Sequence, residues 1–117
     1  MTRTLVNRTI AAFVLSFFVV TLSAFAAEKK ETIKVWGNCG MCKKTIEGAL
    51  KGVDGVSAAS WNKKSKMLDV TFDDSKISAK QIEEKVAASG YDTQNIKADD
   101  KAYNGLDKCC KYDRKKS

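Results

Sequence analysis

Cys39 and Cys42 stand three positions apart in Val35-Trp36-Gly37-Asn38-Cys39-Gly40-Met41-Cys42, where a short apolar alternation gives way to helical periodicity. Two thiols at that spacing at a helix start suit the capture of a soft metal ion or exchange with a disulfide. The first turn of a helix presents unpaired N–H groups and a partial positive charge, which lower a thiol pKa and favour the reactive thiolate. The chemistry these residues point to is therefore sulfur chemistry. The chain of 117 residues carries four cysteines, no histidine and no proline. Without imidazole, the commonest protein ligand for Zn(II), Ni(II) or Cu(II) is missing, and soft, sulfur-only coordination is what remains.

Two thiolates hold Cu(I) in near-linear geometry with a net charge of −1, which the helix dipole together with Lys43 and Lys44 offsets. Cations in a first helical turn oppose the macrodipole, so an anionic site or an acidic partner accounts for these lysines; the plain alternative is solvated surface. Hg(II) on the same pair is neutral and also linear. Zn(II) prefers four ligands and needs Cys109 and Cys110 as well. Those two are neighbours, and a disulfide between adjacent residues closes a strained ring. Each therefore binds metal or pairs elsewhere. A docked tail would bring one or both over the Cys39/Cys42 loop as a third or fourth ligand; the alternatives are a tail-to-core disulfide or a buried, inert thiol.

The elements that position these thiols occupy only part of the chain. Arg3 and Arg8 precede an apolar run from Ile10 to Val20 broken only by Ser16, and Ala24-Phe25-Ala26 is a small-residue cleavage pattern. The expectation is an export signal over 1–26, cut near Ala26 or Ala27, and a periplasmic or secreted product; the rival is an uncleaved membrane anchor. All four cysteines then lie in a compartment that permits disulfides. The mature part retains a modest excess of basic over acidic side chains. Much of that excess, Lys108, Lys111, Arg114, Lys115 and Lys116, crowds the C-terminus as a solvated tail. No aromatic-basic platform accompanies it, so nucleic acid is not a partner.

After a charged lead-in (27–31), Ile33 and Val35 alternate with Lys34 as a strand. Ile46, Ala49, Leu50 and Val53 recur at helical spacing. Val56 to Trp61 reads as a second strand, Asn62 to Ser65 as a turn, and Leu68, Val70 and Phe72 as a third strand. Ser78 and Gln81 form a capping box, Ile77 and Ile82 a hydrophobic staple, and Gly90 a left-handed helix end. Tyr91 to Lys97 is a weak, polar, edge strand. Trp36, Trp61 and Phe72 belong to the core or the sheet surface. The predicted class is α+β, a ferredoxin-like βαββαβ sandwich of a four-stranded antiparallel sheet with two helices on one face. It spans 32–98, and in the tail (99–117) Tyr103, Leu106 and Cys110 mark a short helix docking back on the domain.

With motif and element order together, the chain resembles the heavy-metal-associated domain family of copper chaperones, metal-ATPase N-terminal domains and periplasmic mercury-binding proteins. The resemblance covers about Thr32 to Lys97. It rests on Cys39-Gly40-Met41-Cys42 before a helix, Gly52-Val53-Asp54-Gly55-Val56 after it, and Ser89-Gly90-Tyr91 after the second helix. It implies that Cys39 and Cys42 bind Cu(I) or a similar soft ion, with Hg(II) and Zn(II) as alternatives. It further implies handover by ligand exchange to a metal-transporting ATPase or another metal-binding protein, with Tyr91 beside the metal loop. The family usually reads G-M-T-C-x-x-C. Here Gly37 is two residues before Cys39, Asn38 replaces Thr, and Met41 is expected to pack inward in place of the usual loop-supporting Met.

A thiol-disulfide oxidoreductase is the enzymatic alternative for C-G-M-C at a helix start. A thioredoxin-type protein, however, requires a longer chain and a cis-proline beside the dithiol, and the sequence has no proline. No Ser/His constellation or Gly-rich phosphate loop supports other catalysis. The expectation is a binding protein, not an enzyme.

Overall fold

The computed structural model describes residues 28–114. The expected signal segment, Ala27 and the last three residues lie outside them. Among the described residues no helix is long and apolar enough to cross a membrane.

Strands β1 (Glu28–Lys34), β2 (Val56–Trp61) and β3 (Met67–Asp73) form an antiparallel sheet in the order β1-β3-β2. Period-2 alternation puts Leu68, Val70 and Phe72 of β3 on the buried face, beside Ile33 of β1 and Trp61 of β2. The register is set by Ile33 opposite Leu68 and Trp61 opposite Leu68 on the other side. Helices α1 (Gly40–Leu50) and α2 (Ala79–Ala88) bury Cys42, Ile46 and Leu50, and Ile82 and Val86, in the same core. That core is what holds the Cys39–Cys42 segment, a few residues beyond β1, in place.

The hairpin turn forms because Asn62 Oδ1 accepts from the amides of Lys64 and Ser65, at 2.8 and 3.1 Å. The α2 capping box is present in both directions: Gln81 N donates to Ser78 Oγ and Ser78 N to Gln81 Oε1. Gly90 ends the helix at φ 107°, and a Cβ there would lie 2.9 Å from the Ala102 carbonyl oxygen. Glycine is needed both for that backbone conformation and for the approach of the tail.

Three expectations are corrected. The charged lead-in is the first half of β1: Glu28 to Glu31 pair with Asp73 to Val70, because an edge strand is held by backbone bonds and tolerates charged side chains facing water. The fourth strand does not form. Segment 91–97 touches β1 through Trp36 N to the Asp92 carbonyl and Gln94 N to the Lys34 carbonyl, leaving one isolated bridge between Val35 and Thr93. Buried Glu83 explains the break: its carboxylate accepts from Thr93 Oγ1, Asn95 N and Asn95 Nδ2, folding the segment into a turn closed by Thr93 N to the Ile96 carbonyl. Finally, the described part of the tail, 99–114, docks on the domain as expected but not as one helix. Helix α3 (Asp100–Asn104) stops at Gly105, a single 3₁₀ turn (Lys108–Cys110) follows, and Tyr103 and Leu106 pack against the core.

Candidate metal centre

Cys39 is the N-cap of α1, with extended backbone, and Cys42 is in its first turn. Their Sγ atoms are 3.9 Å apart, and all four cysteines are free thiols. Cys39 is partly exposed while Cys42 is fully buried, so the pair has an open and a closed side. The backbone N–H groups of Cys42 and Met41, unpaired at the helix start, hold the Cys39 pKa down at about 7.

The tail places a third sulfur here. The Sγ atoms of Cys39, Cys42 and Cys110 all lie within 4.8 Å of one another. Cys110 is 3 % exposed. Burial, with the Cys42 thiol alongside, pushes its pKa up to about 12. Cys109, by contrast, stays outside this group. Its carbonyl oxygen accepts from Cys39 Sγ at 3.4 Å and Asn38 Nδ2 at 3.3 Å, while its thiol turns outward to Met41 Sδ at 3.3 Å. With a metal–sulfur bond of about 2.3 Å, a linear two-sulfur centre needs sulfurs about 4.6 Å apart and a trigonal one about 4.0 Å. The 3.9 Å between Cys39 and Cys42 is shorter than a linear centre needs, and Cys110 lies within 4.8 Å of both, within reach of a third position.

Tyr91 stands behind the loop, fully buried. Among the described residues its hydroxyl makes no hydrogen bond of good geometry, and its polar neighbours are the Cys110 thiol, the Thr45 hydroxyl and the Cys42 thiol. Burial raises its pKa. Met41 does not pack inward: it is 49 % exposed, because the buried stripe of α1 runs through Cys42, Ile46 and Leu50 and Met41 points about 100° away from it. The Lys43 ammonium is bonded to Glu47 Oε2 and the Trp61 carbonyl, and Lys44 is exposed.

Residues without a motif hold Cys110 in position. The Tyr112 hydroxyl accepts from Asp92 N and donates to the Gly90 carbonyl, both at 2.8 Å, and its ring stacks on Tyr91 at 5.6 Å. Tyr103 meets Tyr112 edge-on at 5.1 Å and donates to its carbonyl. Arg114, expected in a solvated run, instead grips buried Asp92 and donates to the Ala98 carbonyl. At the loop's other side, Gly37 lies so close to Trp61 that a Cβ would be 2.8 Å from its ring, and Trp61 Nε1 donates to the Val35 carbonyl. Spacing marked Tyr103 but not the roles of Tyr112, Arg114 and Gly37, whose partners are distant in sequence.

A small α+β domain with a Cys pair at a helix start on an open end of its core defines a soft-metal-binding class. The heavy-metal-associated domain model matches residues 38–92. The mercuric transport protein periplasmic component of Shewanella putrefaciens is 46 % identical over 79 residues, covering 66 % of this chain and 87 % of the relative. Copper chaperone CopZ of Staphylococcus aureus is 38 % identical over 64 residues, 54 % of this chain and 94 % of that protein. The solved structure of a copper binding domain from HMA7, a P-type ATPase, superposes with a TM-score of 0.54 at 30 % identity, covering 56 % of this chain and 89 % of the domain. The chain belongs to the heavy-metal-associated domain family. The two sequence relatives are named as a mercuric transport component and a copper chaperone. The family match ends at Asp92, so Cys110 and the tail that carries it lie beyond it.

Proposed function

We propose that this protein is an exported carrier of Cu(I), binding the ion through Cys39, Cys42 and Cys110 and releasing it to a partner by sulfur exchange. The observation that carries this reading is the grouping of three thiols within 4.8 Å, one of them delivered from the tail. Cys39, at the rim and with its pKa lowered to about 7 so that a substantial fraction is thiolate at neutral pH, is the sulfur that meets an arriving ion or an incoming partner thiol. Cys42 and Cys110, both buried, retain it. A third sulfur slows loss of the ion, so the protein holds its cargo until the tail yields, which favours scavenging and guarded delivery over rapid shuttling.

The partner is a second metal-binding domain, such as that of a metal-transporting ATPase; likeness to a P-type ATPase copper binding domain supports this. Binding and transfer, not catalysis, is the activity. A periplasmic location agrees with the signal pattern before Ala27 and with the printed name of the mercuric relative. Hg(II) is the second reading. That relative supports it, and so does charge: three thiolates leave −1 on Hg(II) but −2 on Cu(I), and Lys43, next to Cys42 in the chain, is committed to Glu47.

Anaerobic competition titration of the reduced protein with Cu(I), Hg(II) and Zn(II) against chelators tests the proposal. A first, tightly held Cu(I) whose binding weakens in Cys110→Ser supports it, whatever further ions the chain takes up. Preference for Hg(II) moves the protein to the second reading, and failure to hold any soft ion refutes both.

A further inference from the structure

The sulfur does not end at the three-thiol centre. Cys109 Sγ lies 3.9 Å from Cys110 Sγ on one side and 3.3 Å from Met41 Sδ on the other. Five sulfurs therefore run in sequence from the buried centre to the surface. Cys109 is exposed, and Met41 is the large apolar side chain left in water among the described residues. A solvent-facing methionine on a first helical turn does nothing for the core, yet here its thioether meets a thiol delivered from a segment 68 residues away. The Cys109 backbone is fixed from two sides, its carbonyl receiving Cys39 Sγ and Asn38 Nδ2. Its side chain is thus held at the mouth of the inner centre and directed outward.

We propose that Met41 and Cys109 form a second, outer soft-cation site that takes one monovalent ion, Cu(I) or Ag(I), with Cys110 Sγ as the sulfur shared with the inner centre. This rests on the inner centre being a metal site. Binding replaces the Cys109 thiol proton, which passes to solvent; no oxidation state changes. For a metal–sulfur bond of about 2.3 Å, the Met41 and Cys109 sulfurs must separate to about 4.0 Å in a trigonal centre, a small rotation for two exposed side chains. Sharing Cys110 also lowers the charge: four thiolates with two monovalent ions carry −1 per ion, against −2 for three thiolates with one. Filling the outer site thus eases the charge carried by the inner one, and gives the chain a capacity that a Cys-x-x-Cys pair alone lacks.

The test is an anaerobic titration of the dilute, fully reduced protein with Ag(I), counting ions per chain by native mass spectrometry, in parallel with Met41→Leu/Cys109→Ser. Both positions are exposed, and circular dichroism checks that the variant keeps its fold. Two ions on the natural chain and one on the variant is the expected result. A natural chain that stops at one tightly held ion overturns the outer site and leaves the inner one standing. Two ions on both proteins also overturns it, because the second ion then lies elsewhere. No tight binding by either protein means that the inner centre has failed, and the outer site falls with it.

Discussion

Arg114 and Asp92 face each other through two parallel bonds, Nη2 to Oδ1 at 2.8 Å and Nε to Oδ2 at 3.1 Å, with the carboxylate wholly buried. The pair fastens the end of the tail to the residue that follows Tyr91, and Cys110 lies on the stretch between. The guanidinium donates further to Asp100 and the Ala98 carbonyl. A planar fork of five donors suits this task in a way that a lysine ammonium does not.

Removing Arg114 leaves Asp92 buried without its counter-charge, a loss of about 3–5 kcal/mol for such pairs. Arg114→Ala should lower the urea midpoint and speed alkylation of Cys110, with Arg114→Lys recovering only part of the loss. If Cys110 in Arg114→Ala remains as protected as in the natural chain, the latch does not hold the third sulfur.

Cys39 and Cys110 should differ sharply in reactivity with pH. Cys39 is held at about 7, so its alkylation by iodoacetamide should be near its plateau at pH 8 and fall roughly tenfold per unit below pH 7 as the thiolate is protonated. Cys110, pushed up to about 12, stays a thiol throughout this range and should react slowly. Mass mapping of modified peptides between pH 5 and 9 checks both.

Cys110→Ser should weaken metal retention without unfolding the domain, since hydroxyl and thiol are close in size. The expected loss in competition with a chelator is at least roughly 10–100-fold, the range for loss of a group that only orients a ligand, since Cys110 is proposed to bind the ion directly. An affinity equal to that of the natural chain would return the site to the two thiols of α1.

Tyr91→Phe should act with opposite signs on the two states. A buried hydroxyl without a partner costs about 1–3 kcal/mol, so the metal-free variant should be no less stable than the natural protein, or more so. Once an ion has replaced the Cys110 proton, the same hydroxyl has a thiolate to donate to, and the variant should bind metal less tightly. Thermal melts with and without Ag(I) separate the two effects.

Gly37→Ala places a methyl 2.8 Å from the Trp61 ring, behind the metal loop. Overpacking of this kind costs about 1–3 kcal/mol, and the shifted ring should change the tryptophan emission. Unchanged stability and emission would mean that the loop is free to move away from Trp61.

The chain's local chemistry determined much of this protein by itself. Period-2 alternation at Leu68, Val70 and Phe72, helical spacing at Ile46 and Leu50, the reciprocal Ser78/Gln81 cap and the positive φ of Gly90 are short-range effects, written within a few residues of where they act. The Cys-x-x-Cys pair at a helix start is equally local, and so is the lowered Cys39 pKa that follows from it. Tertiary structure decided the rest. Whether segment 91–97 became a strand depended on the Glu83 carboxylate of α2 capturing Thr93 and Asn95. Which tail cysteine joined the centre depended on Tyr112 and Arg114 finding Gly90 and Asp92, some twenty residues earlier. Met41 faced outward because the α1 stripe was already claimed by Cys42, Ile46 and Leu50. A sequence states which bonds a side chain is able to make, but the choice among distant partners follows only from the packed chain, where burial makes one pairing far less costly than the others.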